Sequence, residues 1–199
     1  MDNNQNVNNT LTAGVSPDGL KDSYGIKVLV CFLVHRFSGM LTSKDILEII
    51  FERALANYFE VCSVIEELIT NGLIIKDEET EILSLSSDGV LIAENLSSDL
   101  PFTVREKAIN ALEKRFARRR HEEETKVEIT EVSDGCQVTC TLLGSSTSMM
   151  SISLYVPDRK YALIAKERFI DDPEYIYRLV LSHLTNESVI APESSGQID

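Results

Sequence analysis

The chain has 199 residues, 43% of them hydrophobic, and a net charge of -13, which suits one large or two small soluble domains rather than a membrane protein or a general nucleic-acid binder. The most apolar run, Val28 to Val34, is too short to span a bilayer, and no basic segment followed by an apolar one opens the chain, so a cytoplasmic protein is expected. The charge is uneven: residues 101–120 carry seven Lys/Arg against two Glu, while both flanks are acidic.

Residues 1–19 hold five asparagines in the first ten positions and few apolar side chains, and are expected to form a disordered tail. Ser23 is positioned to cap a helix reaching about Phe37, and its nearly all-round apolar stretch predicts burial on most sides. Leu41 to Leu55 reads as a second helix, capped by Thr42 or Ser43, with Ile46, Leu47, Ile49, Ile50 and Phe51 at helical spacing. A third helix follows from Asn57 to Thr70, with Val61, Val64, Ile65 and Leu68 inward and Asn71-Gly72 ending it. Leu73-Ile74-Ile75 and Ile82 to Leu85, flanking a polar tip, predict a short hairpin. Helix, turn, helix and hairpin in that order is the winged helix-turn-helix arrangement.

Ser87 to Leu96 predicts another short helix, and Ser97 to Pro101 a hinge that separates a winged-helix domain at 20–100 from a second domain at 101–186. Thr103 with Glu106 makes a capping box for a long helix ending near His121, whose apolar face carries Val104, Ala108, Ile109, Leu112 and Phe116. Three alternating segments, centred on Val127 and Ile129, on Cys136 to Leu142 and on Met150 to Val156, predict an antiparallel sheet with one apolar face. Two helices are available to cover it: Asp158 to about Phe169, and one opened by Asp172-Pro173 with Ile176, Leu179, Val180 and Leu184 inward. Residues 187–199 read as a second disordered tail. The expected class is α+β, a winged helix followed by a small three-stranded domain covered by helices.

Several of these residues carry a family likeness. Thr42 to Ile74, with Asn57-Tyr58-Phe59 opening the third helix and Glu67-Leu68 before Gly72-Leu73-Ile74, resembles a clostridial winged-helix family, domain of unknown function 4364. The resemblance continues through Gly89, Pro101, Glu128-Ile129, Pro157 and Ile176-Tyr177, and covers about Leu20 to Thr185. It implies a winged helix joined to a small C-terminal domain. It implies no activity, ligand or catalytic residue.

Chemistry is sparse. His35, His121 and His183 stand apart, and Cys31, Cys62, Cys136 and Cys140 lack zinc spacing, so no metal or cofactor is expected and the cysteines read as core residues of a reducing compartment. No nucleophile elbow or phosphate-cradling loop is present, and an enzyme is not expected. If the third helix entered a DNA major groove, Asn57, Phe59, Ser63 and Thr70 would be its candidate contacts, beside the unfavourable Glu66 and Glu67. The acidic hairpin tip, Asp77 to Glu81, would repel a phosphate backbone. Positive charge would have to come from the stripe Lys107, Lys114, Arg115, Arg118, Arg119 and Arg120. The expected function is a transcriptional regulator gripping double-stranded DNA as a homodimer; the alternative is a winged helix turned to binding a protein partner. Tyr155, Tyr161, Tyr175 and Tyr177 raise a ligand pocket in the second domain, against the plainer reading of partial burial.

Overall fold

The computed structural model describes residues 14–185, so most of the first tail and all of the second lie outside the described residues. Its contacts divide the chain into two compact units with the boundary between Lys114 and Arg115.

The first unit contains α1 (Ser23–Arg36), α2 (Ser43–Glu52), α3 (Tyr58–Thr70), the strands β1 (Ile74–Lys76) and β2 (Leu83–Leu85), α4 (Ser87–Leu96) and a 3-10 turn (Ser97–Asp99). Helix α1 is the central support: Val28, Leu29, Val30, Cys31, Leu33 and Val34 are all buried, and α3, α4 and β2 pack on it. The cap is Asp22 rather than Ser23, because its carboxylate reaches the N–H of Gly25 at 2.7 Å.

Helix α2 opens on Thr42 in a full capping box with Asp45, whose carboxylate accepts from the Thr42 N–H and hydroxyl. Its inward stripe is Ile46, Ile49 and Ile50. Phe51, expected with them, is 70% exposed, since it lies a further 100° around the helix from Ile50. Helix α3 buries Val61, Val64, Ile65 and Leu68 as its spacing requires, and ends at Asn71 with Gly72 at a φ of 69°, the left-handed step that glycine adopts without strain. The hairpin pairs Ile74 with Leu85 and Lys76 with Leu83.

Residues 14–19 are not part of a disordered tail. The N–H of Ser16 donates to Ala54 at 2.8 Å and that of Leu20 to Leu55 at 2.7 Å, fixing this segment to the turn between α2 and α3. The domain limit is also displaced from 100/101. Helix α5 (Phe102–Glu124) runs through the boundary, and its buried Val104, Ala108, Ala111 and Leu112 precede it. Thr103 lies inside this helix instead of capping it, because Pro101 already supplies the first carbonyl, accepting from Val104 and Arg105.

The second unit contains β3 (Thr125–Val132), β4 (Gly135–Leu143), β5 (Ser148–Val156), α6 (Arg159–Asp171) and α7 (Pro173–Thr185). The strands form an antiparallel sheet in the order β3-β4-β5, with Cys140 facing Val127 on one side and Ile152 on the other. Cys136, Val138, Cys140 and Leu142 meet Ala162 and Phe169 of α6 in its core. The opposite face bears hydroxyls, with Thr139 and Ser153 at 2.7 Å. Asp158 caps α6 and Asp172 caps α7 through the N–H groups of Tyr161 and Tyr175. Leu184, expected inward on α7, is 80% exposed, and Ile176, Leu179 and Val180, expected inward with it, are only half-buried, while Pro173 at the start of the helix is buried. The whole is α+β, and no helix among the described residues is long and apolar enough to cross a membrane.

Candidate nucleic-acid interface

Helices α2 and α3 meet at a turn, Arg53 to Asn57, in which Ala54 takes a φ of 51°. Asn57 sits at the start of α3 as its cap, its side-chain oxygen accepting from the N–H groups of Phe59 at 3.0 Å and Glu60 at 3.3 Å. That duty draws the Asn57 oxygen into the helix end and away from any base edge. Phe59 is 76% exposed, and Ser63, Glu66, Glu67 and Thr70 are exposed along the same helix, with Cys62 half-buried. The expected outward face is therefore the observed one, and it is polar and acidic. Glu67 is not wholly a liability, since Lys27 donates to it at 2.7 Å.

Two features of this turn escaped sequence reasoning. Arg53 is exposed at the C-cap of α2, where a cation also complements the helix dipole. Phe51, Tyr58 and Phe59 form an exposed aromatic row, with edge-on ring contacts at 6.2 Å and 5.7 Å between successive members. Helical projection of α2 alone could have placed Phe51 outside its buried stripe. The pairing with Tyr58 needs the turn geometry.

The basic stripe on α5 is mostly committed to internal partners, which corrects its reading as a reservoir of charge. Lys107 donates to Asp18 at 2.6 Å. Arg118 holds three carboxylates: Glu167 at 2.6 Å, Asp171 at 2.7 Å and Glu122 at 3.1 Å. The hydrogen bond to Glu167 is the main reason its guanidinium is held more firmly protonated than an ordinary arginine. Arg120 lies 3.9 Å from Glu124, and Arg119 lies over the ring of Phe116 at 5.6 Å. Arg115 is half-buried and Lys114 is exposed. Lys107 and Lys114 belong to the first unit and the four arginines to the second.

At the hairpin tip, Asp77 accepts from the N–H and hydroxyl of Thr80, both at 2.7 Å, and from the N–H of Glu79 at 3.1 Å. These bonds, those from Thr80 first, hold its carboxyl below the usual range. Lys76 is paired with Glu81, so the tip is acidic by construction. The four cysteines are free, with Cys31, Cys136 and Cys140 buried. Among the described residues no cluster of His, Cys, Asp and Glu is arranged to hold a metal ion. Tyr155, Tyr161 and Tyr175 are exposed and Tyr177 is half-buried.

Residues 26–184 match the family described as Domain of unknown function (DUF4364), and the chain belongs to that family. No curated protein and no solved structure matches it.

Proposed function

We propose that this DUF4364 member is a winged-helix transcriptional regulator that grips double-stranded DNA as a homodimer, with α3 in the major groove and the turn before it on the phosphates. The observation that carries this reading is the turn itself: α2, Arg53 and α3 succeed one another with Ser63 and Thr70 on the outward face. Ser63 and Thr70 suit bases or phosphates, Phe59 a thymine methyl, and Glu66 the amino group of cytosine. Arg53 replaces the committed cations Lys107 and Arg118 as the leading phosphate contact. The test is anisotropy of a labelled mixed-sequence duplex at low salt, where binding is expected below about 10 μM. Arg53→Ala should weaken it and reduce the salt slope by about 0.9, the contribution of one phosphate contact. Absence of binding at that concentration overturns the reading. Sedimentation of the chain alone tests the dimer.

A second reading has its own support in the aromatic row Phe51, Tyr58 and Phe59, a type of exposed cluster that anchors protein interfaces. On that reading the acidic α3 and hairpin tip keep nucleic acid away, and the partner is a protein. Phe59→Ser then abolishes self-association or partner capture while leaving the melting temperature within a degree or two, as expected for an exposed site. Unchanged association in that variant counts against the row as an interface.

A further inference from the structure

The sheet of the second unit has two edges, and they are unlike. One edge, β3, carries Lys126, Glu128 and Glu131, with Lys126 on Glu128 at 2.8 Å and Arg159 on Glu131 at 3.1 Å. Charges along an edge are the usual guard against a further strand. The other edge, β5, has no such guard: Ser148 to Val156 is nine residues without a charge or a proline, in a chain that is 26% charged. Among the described residues no backbone segment other than β4 pairs with it.

The side chains of this edge are open as well. Leu154 shares a face with Met150 and Ile152, which pack against the core, and it lies across from the fully buried Val138. Leu154 is nevertheless 49% exposed, because α6 packs chiefly on β4 and leaves the margin at β5 uncovered. A long, uncharged, partly apolar edge is a template for another strand, whose backbone satisfies its free N–H and C=O groups.

Charge and symmetry identify that strand. Two copies of a chain with a net charge of -13 repel one another, and they can approach closely only where local charge is absent, as along β5. A twofold axis through Ile152, normal to the sheet, lays β5 antiparallel on itself along its whole length. Met150 then faces Leu154 of the second copy, and Ser151 faces Ser153. Apolar side chains meet on the core side and hydroxyls on the other, so the alternation of the strand is kept. Such a pair makes about eight to ten backbone hydrogen bonds, close to the ten or so of a typical interface.

We infer that β5 is the surface on which a second copy of this chain docks, joining two three-stranded sheets into one of six strands about an axis at Ile152. The inference rests on the homodimer of the proposed function and not on its DNA contacts. It assigns self-association to β5 and not to the aromatic row of Phe51, Tyr58 and Phe59.

Sedimentation of the full chain at ~100 μM, well above a micromolar Kd, is expected to give a dimer. Paired substitutions on the exposed hydroxyl face read the register. Ser151→Lys with Ser153→Lys sets lysine against lysine at both symmetric pairs and should abolish the dimer. Ser151→Lys with Ser153→Glu sets lysine against glutamate and should keep it. Hydrogen exchange of the unaltered chain gives a check that does not depend on how a variant folds. A free edge strand protects only alternate amides, whereas β5 paired on both sides protects consecutive amides from Ser151 to Tyr155 while β3 keeps the alternation. A monomeric chain overturns the inference. Alternating protection in β5, or a dimer that survives the two lysines, overturns it too but leaves a homodimer through another surface standing. Loss of the dimer in both paired variants overturns the axis at Ile152 and the inference with it. DNA binding is read separately, by the anisotropy titration.

Discussion

Asp18 shows how much of this chain's chemistry is settled by single contacts. Lys107 Nζ and Ser16 Oγ both donate to its carboxyl, Lys107 being the stronger influence, and lower its pKa from 3.8 to about 2. A depressed carboxylate contributes stability above its unfolded pKa and loses that contribution as pH falls through the folded value. The relevant window is therefore about pH 4 down to pH 2. Lys107→Ala should raise the Asp18 titration, followed by carboxyl-carbon NMR, toward 3.8, with the Ser16 hydroxyl still holding it below; an unmoved titration would deny the pair. The pair was not legible in the sequence, where Asp18 falls in an apparent tail and Lys107 on a helix 89 positions later. Thiols give a second check. Burial raises the Cys31 pKa to about 11, so at pH 8 it should resist an aromatic disulfide reagent, while half-buried Cys62 reacts first.

Elements were far more legible than contacts, because caps and apolar stripes are local. The Thr42 cap, the α3 stripe, the Asn71-Gly72 exit and the Asp172-Pro173 start all follow from neighbours within one or two turns. The failures were of another kind. Phe51 and Leu184 were expected inward as apolar residues within a helical pattern, yet what decides burial is whether another element lies opposite. Thr103 matched a capping pattern but lost to Pro101, which starts the helix earlier. Two substitutions probe this scale. Thr42→Ala removes the α2 cap and one donor to Asp45, which is only 1% exposed, and should cost about 1–2 kcal/mol in denaturant melts. Gly89→Ala places a methyl 2.4 Å from the Leu73 carbonyl oxygen, so backbone must move where α4 meets the start of β1. A loss of about 1–3 kcal/mol is expected, whereas an ordinary helical glycine would gain stability on the same change.

At the scale of the whole molecule, the sequence suggested that the chain parts at Pro101, where a proline follows a short polar segment. Such a segment resembles a linker when only composition is weighed. Contacts divide the chain later, between Lys114 and Arg115, and the first unit therefore includes Val104, Ala108, Ala111 and Leu112 on the leading half of α5. The physical criterion is buried apolar area, which a composition shift does not report. Lys107 adds a polar tie, its ammonium on Asp18. A fragment ending at residue 100 should accordingly lose these burials, at about 1.5–3 kcal/mol for each of the larger side chains. A fragment ending at residue 120 retains them. Comparing the two by thermal melting, the shorter should melt well below the longer or fail to show a cooperative transition. Equal melting temperatures would return the limit to Pro101 and leave α5 as part of the second unit alone.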